Sequence, residues 1–277
     1  MAIESDPRKN NKKILKNLHK RKFIKPAFAE YKKCIEYFED EIPLEDTYMK
    51  LLDNLTTILN MATKDTIAEI EKKSENKKFI DDRARQKSIE NTIRSVAGNN
   101  FQALIARCLI DNIEVGNLSN INISIQANNN RDIKDYTTIY VKEDFQKPDL
   151  DIVAYDLERS KSPIVSYSCK TSFRERAGQT YKWKLLYDIV TSKCNKDSSD
   201  YNCLRKKYEL NFKGNKEIIV GLICADFYDE VLYPQIEGMI NFFNYFYISK
   251  SSTGSKKVPS LSMIISDLNK LFPETSK

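Results

Sequence analysis

The sequence predicts an α/β fold, a three-layer α/β/α core around a mixed sheet, preceded by a helical N-terminal region. Three observations carry this. Apolar residues recur at helical spacing through the first third, short β-rich runs begin at about Tyr136, and Ile218-Ile219-Val220-Gly221-Leu222-Ile223-Cys224 is apolar throughout. An unbroken apolar run of that length is what a central strand buried on both faces requires.

In chain order, helical patterns run through Phe28-Tyr31-Cys34-Ile35-Phe38, through Met49-Leu51-Leu52-Leu55-Ile58-Leu59 and through Ile67-Ile70, punctuated by Pro43 and the polar stretch from Lys72 to Lys78. A third helical region covers about Asp81 to Asp111, with a break expected at Gly98-Asn99-Asn100. Asn117 to Asn130 alternates through Ile121, Ile123 and Ile125 before an Asn-rich turn. Thr137 to Val141, Asp151 to Tyr155 and Pro163 to Ser168 read as a meander of strands. Phe173, Ala177, Tyr181, Leu185 and Ile189 recur every four residues and predict a helix with one buried stripe. The division expected is a basic N-terminal arm over 1–25, a helical region over 26–80 and the α/β domain over 81–277.

Composition narrows the chemistry. A chain of 277 residues buries a sizeable core without disulfides. Between Met1 and Lys22 stand eight basic residues against Glu4 and Asp6, a surplus equal to the net charge of +6. A mobile arm lying on phosphates and a merely solvated terminus both fit that run. The six cysteines form no CxxC pair and read as reduced, Cys194 and Cys203 as ordinary loop residues. Met1-Ala2-Ile3-Glu4 opens into charge, and no apolar stretch is long enough to span a bilayer, so a soluble cytoplasmic protein with no membrane partner is expected. Histidine occurs once, as His19, which removes catalytic triads and histidine-centred metal sites. Seven glycines form neither GxGxxG nor a Walker loop. Acid and lysine chemistry is what remains.

That chemistry is concentrated in Pro148-Asp149-Leu150-Asp151-Ile152-Val153 and Ile164-Val165-Ser166-Tyr167-Ser168-Cys169-Lys170. A hairpin of these runs brings a carboxylate to an ammonium, the minimal equipment for metal-assisted phosphodiester hydrolysis: Asp149 to hold Mg²⁺, Lys170 to stabilise charge and orient water. Each residue also has an ordinary reading. Asp149 can cap the turn behind Pro148, Lys170 can be a solvated strand end, and Arg174-Glu175-Arg176 an exposed helix turn. Asp151 shares a strand face with Asp149 and is either a second ligand or, the favoured reading, a hairpin residue. Strand alternation turns Cys169 into the core, and Trp183 reads as packing.

In this order and spacing, Asp149, Ser168-Cys169-Lys170, a helix and a strand resemble the PD-(D/E)XK nucleases, specifically type II restriction endonucleases, over about residues 85 to 225. The likeness is greatest to the branch that cuts sites with a CCGG-type core, because Ser168-Cys169-Lys170 is followed by Arg174-Glu175-Arg176. The resemblance implies a Mg²⁺-dependent, sequence-specific cut in double-stranded DNA by a homodimer or a tetramer within a restriction-modification system. It implies catalytic roles for Asp149, Ser168 and Lys170, and metal ligation by Asp149 and the backbone carbonyl of Cys169. Arg174, Glu175 and Arg176 would read base edges, and Gln179 and Lys182 would touch the DNA backbone. Two positions depart from the pattern: Lys184 stands where serine-type members have a glutamate, and Gln102 stands where many relatives have another. Gln102 through water, Asp151, Glu90, Glu175 and Asp188 are the candidates to compensate. The alternatives are a repair or structure-specific nuclease and a non-catalytic DNA-binding protein on a nuclease fold.

Overall fold

The computed structural model describes residues 6–75, 79–125, 127, 130–171, 177–192, 203–226, 233–249 and 258–274. Four helices come first: α1 (Pro7–His19), α2 (Lys25–Glu39), α3 (Leu44–Glu75) and α4 (Asp82–Glu114). Their starts follow from local chemistry. Pro7 occupies the first turn of α1 behind Asp6, whose carboxylate accepts from the Arg8 N–H, and Asp81 accepts from the Ala84 N–H at the head of α4. Within the basic run, residues 7–19 are thus helical. Asn11, fully buried, donates its amide to the Ile121 carbonyl and accepts from the Ile123 N–H.

The expected break at Gly98-Asn99-Asn100 does not occur, and α4 runs through it. A glycine inside a helix costs about 1 kcal/mol. Phe101, Leu104, Ile105 and Leu109 just beyond it are fully buried, and each such side chain contributes roughly 1.5–3 kcal/mol, so tertiary packing prevails.

The strands are β1 (Asn122–Ile125), β2 (Ile139–Val141), β3 (Asp144–Gln146), β4 (Ile152–Tyr155), β5 (Ile164–Lys170), β6 (Leu210–Asn211), β7 (Ile218–Cys224) and β8 (Tyr245–Ile248). The main sheet has the order β1-β4-β5-β7-β8, antiparallel from β1 to β5 and parallel from β5 to β8. The expected meander is corrected at β2, which belongs to a separate sheet of order β3-β2-β6. Lys142, with φ of 53°, turns β2 back onto β3 within two residues, so β2 never reaches β4.

Helices α5 (Ala177–Thr191), α6 (Leu204–Lys207), α7 (Tyr233–Phe242) and α8 (Met263–Leu271) complete the chain. One core joins α2, α3, α4 and α8 to Ile152, Val165, Tyr167 and Ile223 of the sheet, and the other joins α5 and α7 to Val153, Val220 and Leu222. The mixed sheet therefore lies between two helical layers. The expected stripe on α5 is also corrected. Leu185 is exposed, and Thr180, Trp183, Lys184, Tyr187 and Val190 are the buried residues. A strict four-residue spacing drifts about 40° per step on a helix of 3.6 residues per turn, so it cannot stay on one face for sixteen residues. Cys34, Cys108, Cys169 and Cys224 are free thiols. Cys203 is disulfide-bonded, which corrects its reading as an ordinary reduced cysteine.

Candidate active site

The hairpin of β4 and β5 builds the site at the point where its ladder stops. Ile152 is the last paired residue of β4, opposite Tyr167. Asp151, one residue further out, faces Ser168, and its carboxylate takes over the ladder: Oδ2 accepts the Cys169 N–H at 2.7 Å. The same oxygen accepts from the Ser168 hydroxyl at 3.4 Å and from Lys170 Nζ at 3.3 Å. From the opposite layer, Gln102 of α4 donates its amide to Oδ1. Asp151 is thereby held from both sides of the sheet.

Asp149 stands at the rim, its side chain 56% exposed, with Oδ2 4.0 Å from Lys170 Nζ. The buried ammonium of Lys170 thus sits between two carboxylates, and the three side chains together carry one net negative charge. Burial pushes the Asp151 carboxyl above its ordinary range, an effect that Lys170 and the Cys169 N–H oppose. Ser168 is itself fixed by the buried Thr180 of α5, whose hydroxyl lies 3.1 Å from it. Thr180 was not singled out from sequence. Its only signal there would have been a small polar residue on the face of α5 that turns out to be buried.

The donor set suits a hard divalent cation. Two carboxylates and a net negative charge meet the chain end of a ladder, where the Cys169 carbonyl shares the strand edge that its N–H gives to Asp151. The Lys170 carbonyl, by contrast, is taken by the Ala225 N–H across β7. Among the described residues no group of three His, Cys, Asp or Glu side chains could hold a metal. A cation here would rest on two carboxylates supplemented by main-chain and amide oxygen.

The remaining sequence candidates divide clearly. Lys184 pairs with Asp188 on α5 at 2.6 Å, which engages both away from Asp151. Glu90 lies twelve residues before Gln102 on the same helix, about 18 Å along its axis, and bonds to Gln86 instead. Gln179 and Lys182 are exposed on the first turns of α5, with the Lys182 ammonium 4.6 Å from the Trp183 ring. Trp183 is buried. Cys169 turns into the core opposite Ser168 and Lys170. Arg174, Glu175 and Arg176 lie outside the described residues.

A mixed five-stranded sheet between helical layers, with acids and a lysine at the open end of its antiparallel hairpin, is a restriction-endonuclease-like core. Within that class, the chain belongs to the BsaWI restriction endonuclease type 2 family, whose family model matches residues 125–271, more than half of the sequence. The match spans Asp149 to Lys170 and leaves Gln102 and α1 to α3 outside it. No curated protein matches the chain.

Proposed function

We propose that this type II restriction endonuclease hydrolyses double-stranded DNA at a specific site with a divalent metal, most simply Mg²⁺, held by Asp151, Asp149 and the backbone carbonyl of Cys169. The carrying observation is the convergence of the Cys169 N–H, the Ser168 hydroxyl, the Lys170 ammonium and the Gln102 amide on one buried carboxylate. That much preorganisation around a group that burial disfavours is characteristic of sites that use the charge. Asp151, rather than Asp149, is the principal carboxylate in this reading, and Asp149 supplies a second oxygen from the rim. When bound, the metal supplies Lewis-acid activation of a phosphate oxygen and lowers the pKa of an attacking water. Lys170 stabilises the charge that develops on the scissile phosphate, while Ser168 and Gln102 hold Asp151 in place.

Arg174, Glu175 and Arg176 follow β5 directly and are assigned to base reading, as in the CCGG-type branch, with Gln179 and Lys182 on the backbone. A homodimer places one such site on each strand of a palindrome. We assign the protein to the cytoplasm, where its DNA substrate is. We assign the nuclease function to a domain over 81–277, since Gln102 completes the site from α4.

Plasmid cleavage in Mg²⁺ followed by sequencing of the ends tests this. Discrete bands with uniform ends are expected. Smears or junction-specific cutting would indicate a repair nuclease, and absence of metal-dependent cutting would reduce the chain to a binding protein.

A further inference from the structure

We propose that α1 is a fixed phosphate clamp, a surface that holds the backbone of duplex DNA outside the base pairs lying over the active site. The proposal rests on the DNA-cutting function above and concerns residues that the family match does not reach. Helix α1 contains no acidic residue, and Arg8, Lys9, Lys12, Lys13 and Lys16 are all exposed. At 100° per residue these five fall within an arc of about 140°. Asn11, Ile14 and Leu18 occupy the opposite face, the one packed on the protein.

The pairing of these charges separates α1 from its neighbours. On α2 and α3 three of the seven lysines meet acids, Lys32 with Glu36, Lys33 with Glu30 and Lys73 with Glu69, and Lys50 lies over the Phe38 ring. Even Lys22, just beyond α1, reaches Glu69 at 2.6 Å. None of Lys9, Lys12, Lys13 and Lys16 has an ion-pair partner among the described residues. Five cations confined to one arc repel one another, and a polyanion is the partner that relieves them.

The helix is also held still. Asn11 bonds to the main chain at both Ile121 and Ile123, and Asn10 donates to the Asn122 side chain at 2.9 Å. This seats α1 beside β1, the strand next to β4. The seat is at the Ile121–Ile123 end of β1, whereas Ile125 pairs with Ile152 beside the catalytic carboxylate. The lysines therefore address phosphates that flank the site, where contacts add affinity without reading sequence.

Binding of the full chain to a duplex of random sequence, followed by fluorescence anisotropy over a salt series without divalent metal, tests the clamp. In the triple variant Lys12→Gln, Lys13→Gln, Lys16→Gln, the log–log salt slope should fall by about 2 to 3, because each lost phosphate contact removes about 0.9. Its thermal unfolding should match wild type, since the three side chains are exposed. Asn11→Ala keeps every lysine and cuts the anchor, and it should weaken duplex binding as well. An unchanged slope in the triple variant, with wild type still binding, overturns the clamp and leaves the nuclease reading intact. Unchanged binding by Asn11→Ala overturns the fixed geometry. A triple variant that loses binding only to vesicles of anionic phospholipid overturns the choice of partner. Wild type that binds no duplex overturns the nuclease reading itself.

Discussion

Lys170 and Lys184 are equally buried, at 9% and 8% exposure, and each is paired with aspartate, yet the two pairs are built in opposite ways. Lys184 and Asp188 are four apart on one helix, the carboxylate is half in water, and the ammonium has Phe242 as a further neighbour. One positive and one negative charge close that account locally. At the strand ends a single ammonium faces two carboxylates, and one of these is desolvated and gripped by three further donors. The difference teaches that burial of a lysine is not itself a functional signal; an uncompensated charge held by neutral donors is.

Breaking the comparison at its strong end should give the largest effect. Lys170→Ala and Asp151→Ala should each reduce cleavage by at least two orders of magnitude, on the order of 3 kcal/mol or more in the barrier, with DNA binding retained, whereas Lys184→Met should cut within a few-fold of wild type. Equal losses at both lysines in a single-turnover plasmid assay would remove the distinction. Asp151→Asn adds a sharper sign. Because burial raises the folded-state pKa of Asp151 above 3.8, its contribution to stability is present below the unfolded pKa and lost as pH rises through the folded value. The Asn variant should therefore melt above wild type at neutral pH, with the gap closing in acid.

The next effect concerns the bed beneath the hairpin. A Cβ added at Gly221 of β7 would lie 2.6 Å from the fully buried Tyr167 ring, on the strand that carries Ser168 and Lys170. Gly221→Ala should cost about 1 to 3 kcal/mol by overpacking, read as a fall in denaturation midpoint. Gln102→Ala removes the donor on Asp151 Oδ1 and should lower cleavage several-fold, about 1 kcal/mol; no loss in turnover at saturating metal would leave α4 out of the site. Asp188→Asn, at the weak end, takes the partner from a buried ammonium and should lower the denaturation midpoint, while leaving cleavage untouched.

How much of this was readable in advance depended on which physical period governed each segment. The run Ile218 to Cys224 coincides with β7 because apolar continuity requires no partner to be known. Period-two alternation correctly sends Cys169 inward, but it cannot say where the ladder ends, and both Asp149 and Asp151 precede the first strand residue of β4. Pairing begins at Ile152, and that boundary makes Asp151 the residue whose carboxylate replaces a main-chain partner. The continuity of α4 and the rotation of the buried face of α5 were illegible for a different reason: both depend on what packs against the helix. Gln102 stood out only through likeness to a glutamate position, and nothing in a single chain announces a donor that arrives from a helix 49 residues away.

The seating of Asn11 also bears on what the outer side of β1 presents to another strand. An outer strand with free main-chain groups invites another chain to add a strand, but Asn11 already occupies the Ile121 carbonyl and the Ile123 N–H. At the far side of the sheet, Ile248 of β8 is bridged to Ser260. Strand addition at these positions would first have to displace Asn11 on one side or the Pro259–Leu261 segment on the other, and a chain that lost α1 would lay bare the Ile121 carbonyl and the Ile123 N–H to any strand that met them.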